Sequence, residues 1–232
     1  MTDQKTLSFG VLLLPNFQLL DAVGPTDFIN THSQQYFSLA EGLVPASLVA
    51  KAPSIEWHYI SHSLEPVQAS SFPAQHPTTT FKDCPKLDYL IIPGPDPTKP
   101  LPEGCAEWLK NTFEKDLKGL LLVCTGSMVV AGSTDILNGR NVATNKLALK
   151  MVASTPHYET LKKVKWVGDK RWVIDGKIWS AAGVTAGIDL AVEFVKRTFH
   201  PEVVELAKNL VEYTGKPDTP DEFAFLVEGV AL

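Results

Sequence analysis

Leu120-Leu121-Leu122-Val123-Cys124-Thr125-Gly126-Ser127 runs a strand of buried type straight into a cysteine, a few small residues and then a helical pattern. It reads as a nucleophile elbow. A cysteine on such a turn sits over the N-terminus of the next helix, where unpaired backbone N–H groups and the positive end of the dipole favour a thiolate. On that reading Cys124 is a nucleophile at neutral pH. The other reading of the same residues is a small buried hydrophobe that packs the sheet. Both stand open on the local pattern.

Short apolar runs of the same kind occur at about Leu7–Leu14 and Leu87–Ile92, each closed by Pro, Gly or a small polar residue. Together with Leu120–Val123 they read as interior parallel strands buried on both faces. Helical patterns lie between and after them, at about Ala22–Asn30, Gln34–Ala50, Glu103–Glu114, Ser127–Thr134 and Lys146–Val152. That alternation predicts an α/β fold, a mostly parallel sheet with helices on both faces. Ile55–Ser61 alternates as a further strand, and Arg171–Ser180 carries Asp175-Gly176 as the turn of a β-hairpin, which makes the sheet mixed. The apolar face Ile188, Ala191, Val192 and Val195 predicts a long helix over Thr185–Phe199, and Glu202–Tyr213 offers another. The Pro- and Asp-rich stretch from Gly215 to Leu232 is expected to lie over the surface. With no internal repeat or linker, the expectation is one domain over residues 1–232: a core at about 7–199, then a C-terminal helix and tail at 200–232.

The chain has 232 residues, 44% hydrophobic and 20% charged, with no apolar run near the roughly 20 residues that span a bilayer. Met1 to Lys5 is polar and lacks a signal-peptide core, so the expected location is cytoplasmic. Three cysteines, Cys84, Cys105 and Cys124, without C-x-x-C spacing indicate neither a disulfide framework nor a metal cage. A net charge of −5 without a Lys/Arg cluster argues against nucleic acid as a partner and for small molecules.

Open α/β sheets bind ligands at the carboxyl ends of their strands. Four loops therefore matter: Asn16–Pro25, Pro93–Asp96, Cys124–Ser127 and Ala182–Gly187. Asp21 reads either as the N-cap of a helix starting near Ala22 or as a carboxyl group beside the thiol, able to tune it or to act as general acid. Gly183–Gly187 reads as tight packing of a helix start or as part of a pocket. Asp189, in the first turns of the following helix, is assigned to the helix dipole and left outside the site. The six histidines, His32, His58, His62, His76, His157 and His200, follow none of the strand runs and are expected on the surface or in loops. A Cys-His dyad has no obvious histidine. Ser-His-Asp chemistry is disfavoured because the elbow carries cysteine and no G-x-S-x-G is present.

Five motifs in order, Leu19-Leu20-Asp21-Ala22-Val23-Gly24-Pro25, Ile91-Ile92-Pro93-Gly94, Val123-Cys124-Thr125-Gly126-Ser127, Leu137-Asn138-Gly139-Arg140 with Ala143-Thr144, and Gly183-Val184-Thr185-Ala186-Gly187-Ile188-Asp189, resemble the ThiJ/PfpI superfamily. That superfamily shares the class I glutamine amidotransferase-like fold, and the likeness is greatest to its isonitrile (isocyanide) hydratase-like branch and fungal relatives. The resemblance implies a flavodoxin-like three-layer sandwich, a homodimer and a cysteine at a strained elbow. It implies a lyase in which Cys124 attacks the isocyanide carbon, Asp21 acts as acid or base, and water completes an N-substituted formamide. Thr125 then contributes to the pocket, with Gly94, Asn145, Gly183, Val184 and Thr185 as further candidate substrate-binding residues, and no metal or organic cofactor is required.

Two positions depart from the family pattern. Pro95 stands where a second glycine commonly gives an oxyanion-hole N–H, and proline has none to give. Asn145 stands where many relatives have histidine, and an amide positions a substrate but shuttles no proton. Both count against a glutathione-independent glyoxalase-type activity. Two further readings remain: a non-enzymatic stress protein whose Cys124 is reversibly oxidised, and a biosynthetic enzyme for a larger metabolite, its pocket reshaped by an insertion around Thr31–Ser54 and by the tail. The ligand-sensing half of a transcriptional regulator would need an appended helix-turn-helix domain, for which the chain ends too soon.

Overall fold

The computed structural model describes residues 6–40 and 42–230; the polar start, position 41 and the last two positions, on which parts of the expectations above fall, lie outside them. In chain order the elements are β1 (Leu7–Leu12), α1 (Leu19–Asn30), α2 (Gln34–Ser38), α3 (Ala46–Val49), β2 (Ile55–Ser61), β3 (Val67–Gln68), β4 (Ala74–Gln75), β5 (Thr79–Thr80), β6 (Tyr89–Ile92) and α4 (Cys105–Lys115). They continue with β7 (Gly119–Val123), α5 (Gly126–Ser133), β8 (Asn141–Val142), α6 (Lys146–Ala153), β9 (Lys165–Trp166), β10 (Trp172–Asp175), β11 (Ile178–Ala181), α7 (Ala186–Thr198) and α8 (Pro201–Val211).

Among the described residues the main sheet has seven strands in the order β10-β11-β7-β6-β1-β2-β5. All neighbours are parallel except the β10–β11 hairpin. Leaving out the short strands, the parallel core β2-β1-β6-β7-β11 reverses its order between β1 and β6, which is the flavodoxin-like arrangement with its switch-point crevice at the carboxyl ends of those two strands. The loops after β1, β6 and β7 therefore converge on one rim.

Alternation along β7 shows why the sheet takes helices on both sides. Leu120 and Leu122 join a core with Leu109 of α4 and Met128 and Val130 of α5, while Leu121 and Val123 join another with Ile29 of α1 and Leu190 and Phe194 of α7. Each such fully buried side chain stabilises the fold by roughly 1.5–3 kcal/mol relative to exposure. At the start of α7, a Cβ on Gly187 would lie 2.7 Å from a Val123 methyl, so this glycine lets the helix press onto β7. Among the described residues no helix is long and apolar enough to cross a membrane.

Several local expectations are corrected. The helix expected over Gln34–Ala50 is two short ones, α2 and α3, because Gly42 takes a left-handed φ of 82° and Pro45 precedes the restart. Helix α1 begins at Leu19 with Gln18 at its N-cap, so Asp21 lies in the first turn and is not the cap. The helix carries Pro25 inside, where proline has no N–H to give the Asp21 carbonyl four residues back. Asp189 does not simply serve a dipole. It is buried, takes Arg171 Nε at 2.5 Å on Oδ2, and accepts Tyr213 Oη at 2.6 Å and the Lys216 N–H at 2.8 Å on Oδ1.

The tail is held rather than merely laid over the surface. Lys170 pairs with Asp218 at 2.7 Å, the buried Lys146 ammonium with Asp221, and Val227 packs into the core. His32 lies in the turn after α1, as expected of a loop histidine, but it is fully buried, its Nδ1 bonded to the Phe28 carbonyl at 2.8 Å, and burial lowers its pKa to about 4, leaving the ring neutral. Asp189→Asn, which strips Arg171 of its counter-charge, should cost about 3–5 kcal/mol in urea-unfolding stability. A loss well under 1 kcal/mol would contradict the structural role given to that pair.

Candidate active site

Cys124 follows β7 directly and holds a left-handed φ of 56°. For a residue with a Cβ this costs roughly 1–2 kcal/mol, which surrounding contacts must hold in place. Its N–H donates to the Ala181 carbonyl of β11 at 3.1 Å. Its carbonyl accepts from Ser127 Oγ at 3.1 Å and Thr144 Oγ1 at 3.0 Å. The next turn is equally confined, since a Cβ on Gly126 would lie 2.4 Å from the Ile92 carbonyl oxygen; only glycine lets α5 start this close to β6. The elbow expected from the sequence is thus present, at 7% exposure.

Across the switch-point crevice, the first turn of α1 carries Asp21, which is fully buried. Its Oδ2 accepts the Gly94 N–H at 3.0 Å from the loop after β6. Burial pushes the Asp21 pKa up to about 7, with the Gly94 hydrogen bond and the Cys124 thiol pulling it back. Oδ1 has no partner meeting full hydrogen-bond geometry, and the thiol is the side-chain group that acts on this carboxyl. A buried carboxyl short of one bond is costly unless a proton or a donor reaches it.

The thiol itself is not a resting thiolate, and this corrects the sequence expectation. Burial and then the Asp21 charge push the Cys124 pKa up to about 12, against the Thr125 N–H and the Asn145 and Thr125 side chains, which favour the anion. Desolvation and a neighbouring negative charge outweigh the helix N-terminus. Near neutral pH the pair therefore holds a thiol beside a carboxyl group that titrates around its working range.

Thr125 commits its hydroxyl proton to the Pro95 carbonyl at 2.6 Å, and must turn from it to donate to sulfur. The Gly94 N–H is taken by Asp21, and Pro93 and Pro95 have none, so none of these three residues after β6 gives a free backbone donor. Asn145 is at once the N-cap of α6, its Oδ1 accepting from the Ala148 N–H at 2.9 Å, and a donor toward the sulfur. Its Nδ2 also lies 4.0 Å from where a Gly183 Cβ would stand. Asn145, Gly183, Val184 and Thr185 line one cavity of about 270 Å3, while Asp21, Gly94, Cys124 and Thr125 cluster at the crevice; Asn145 joins the two groups.

Thr144 and Ser127, which grip the Cys124 carbonyl, went unassigned in the sequence, although both lie inside motifs quoted for the resemblance. Arg171, Lys146 and Asp221 on the cavity wall carried no local signal, because their partners are 18 and 75 residues away. Among the described residues no three His, Cys, Asp or Glu side chains gather as a metal site.

Isonitrile hydratase of Pseudomonas putida is 28% identical over 223 residues, covering 92% of this chain and 84% of that protein. The HTH-type transcriptional regulator CdhR of Pseudomonas aeruginosa is 25% identical over 207 residues, covering 88% of this chain and 54% of the regulator, so the chain spans about half of it. Among solved structures, a ThiJ/PfpI family protein from Pseudomonas syringae superposes with a TM-score of 0.67 at 20% identity, over 94% of this chain and 79% of that one. Drosophila melanogaster DJ-1beta does so with a TM-score of 0.65 at 15% identity, over 90% and 100%. At those identities the two structures establish the fold. The DJ-1/PfpI family profile matches residues 29–197, a span that contains Cys124 and leaves Asp21 just outside, and by that match the chain belongs to the DJ-1/PfpI family.

Proposed function

We propose that this chain is a cysteine-dependent lyase that hydrates isocyanides to N-substituted formamides, with Cys124 as nucleophile, Asp21 as proton carrier, and no metal or organic cofactor. One observation carries the reading: a fully buried carboxyl, tied by one oxygen to the Gly94 N–H and short of a partner on the other, is coupled to a thiol at a strained elbow. The likeness to isonitrile hydratase supports the same reaction class.

The step follows from the resting protonation states. Asp21 carboxylate accepts the thiol proton as sulfur bonds to the terminal carbon of R–N≡C, and returns that proton to the same carbon, giving a thioimidate, R–N=CH–S–Cys124. Water then adds to this carbon, one of its protons passing through Asp21 to nitrogen. The C–S bond then breaks as the new hydroxyl forms the carbonyl and its remaining proton passes to sulfur, which restores the thiol and releases R–NH–CHO. Thr125 and Asn145 support negative charge on sulfur in transit, and Gly94, Gly183, Val184 and Thr185 border the substrate. The lack of a free N–H on Gly94 and Pro95 suits this route, since the carbon attacked bears no oxygen during thiol addition; acyl or glyoxalase-type chemistry would want such a donor for its oxyanion. A raised thiol pKa also counts against easy oxidation of Cys124, which proceeds from the thiolate.

A homodimer belongs to the same reading. Leu20 and Val23 flank Asp21 on α1 and stay exposed beside a groove bordered by Trp57 and Tyr59, an apolar surface suited to a second copy.

Incubation with an alkyl isocyanide, followed by formamide detection, should show turnover that Cys124→Ala abolishes, with a loss of at least about 1,000-fold; equal inertness of both proteins would sink the proposal. Because Asp21 must be ionised to take the thiol proton, kcat/KM should rise with pH to a plateau, with a midpoint near the carboxyl pKa of about 7. A flat profile between pH 5 and pH 9 would contradict this. The same raised pKa carries a stability sign. Its contribution is fully present below the ordinary value of 3.8 and is lost as pH rises through about 7. Asp21→Asn, which can keep the Gly94 bond, should therefore lose turnover yet exceed wild type in Tm at pH 8, with the gap narrowing toward pH 4. A gap that does not change with pH would refute the buried-carboxyl account.

A further inference from the structure

The cavity of about 270 Å3 between the start of α6, the Gly183–Thr185 loop and the C-terminal tail plays no part in the proton transfers above beyond its border residues. It begins at Asn145, whose side chain acts on the Cys124 sulfur and also forms part of the cavity wall. The residue after it, Lys146, is buried, and its ammonium is held by the Lys170 carbonyl at 2.9 Å and the Asp221 carboxylate. This ion pair anchors the tail beside the elbow. Two residues further along the tail comes Phe223, and then Leu226, both on the cavity wall.

The chemistry of that wall selects a ligand. Its two cations are already neutralised, Lys146 by Asp221 and Arg171 by Asp189, so no spare charge awaits an ionic group. The Thr185 hydroxyl accepts from Arg171 Nη2 at 2.9 Å. What remains open is apolar: Phe223 is 48% exposed and Leu147 51% exposed, with Val184 and Leu226 partly so. Covering such surface is favourable by about 25 cal/mol per Å2. The volume lies below the roughly 300–1,000 Å3 of sites for drug-sized ligands, which suits one ring or one branched chain.

We propose that this cavity receives the organic substituent of the Cys124 substrate, and that Phe223 and Leu226 of the tail make it selective for a neutral aryl or branched alkyl group. The word substrate rests on the reaction proposed above, whereas the cavity's preference can be read without turnover.

The test is the rate of Cys124 alkylation by N-benzyl-2-iodoacetamide relative to iodoacetamide, resolved from Cys84 and Cys105 by peptide mass spectrometry. Wild type should favour the benzyl reagent, and the ratio should fall roughly tenfold in both Phe223→Asp and Leu226→Asp. Phe225→Asp serves as the control, because Phe225 is 58% exposed on the same turn and outside the cavity wall, and should keep the wild-type ratio. No benzyl preference in wild type, an unchanged ratio in either cavity variant, or an equal fall in the control would overturn the proposal. A benzyl preference that behaves as expected in a protein inert toward isocyanides would leave the cavity standing and remove the hydration reading alone.

Discussion

The left-handed backbone at Cys124 is the constraint around which the rest is arranged. A non-glycine residue stays there only when its neighbours leave it no other place. Here β11 takes its N–H, Ser127 and Thr144 take its carbonyl, and Gly126 brings α5 against the Ile92 carbonyl without room for a methyl group. The reversal of strand order between β1 and β6 then sets α1 and the Gly94 loop across from the sulfur. Loosening any of these contacts would let the elbow relax, and the sulfur would leave the only buried carboxyl coupled to it among the described residues.

Two opposing effects act on that sulfur, and magnitude decides between them. A helix N-terminus contributes a few tenths to about 2 kcal/mol in favour of an anion. Burial of the charge, with a carboxyl beside it, works the other way and wins, so the thiol keeps its proton while the carboxyl rises toward neutrality. The site stores its reactivity in the pair and not in a preformed thiolate. Such an arrangement suits a reaction in which one proton must leave sulfur and arrive at carbon.

The elbow, the strands and the long helices were legible because their signals are local. Leu120–Val123 is continuously apolar, Asp175-Gly176 is a hairpin turn, and the α7 apolar face repeats at helical spacing. Asp21 was legible as a residue but not as a position: the pattern from Ala22 gave a cap, whereas α1 starts three residues earlier and turns the carboxyl toward Gly94. The protonation state of Cys124 is not legible in the sequence, since burial is a property of the assembled fold whereas only the dipole is visible in the local pattern. His32 lies in a turn, as its place between helical patterns implies, yet it is buried by Phe28 and Phe199, of which the second is distant in sequence. The Lys146–Asp221 pair that pins the tail beside the site spans 75 residues and leaves no trace in composition or spacing.

The central claim is that a buried Asp21 carboxyl titrates near pH 7 beside a Cys124 thiol that keeps its own proton. Infrared difference spectra of wild type against Asp21→Asn, recorded across pH 3 to pH 10, isolate the carbonyl stretch of the protonated Asp21 carboxyl. The account predicts that this band persists in the folded protein and disappears with a midpoint near pH 7, with no thiol signal lost below pH 9. A carboxyl already ionised at pH 5, or a thiolate present at pH 7, would contradict it.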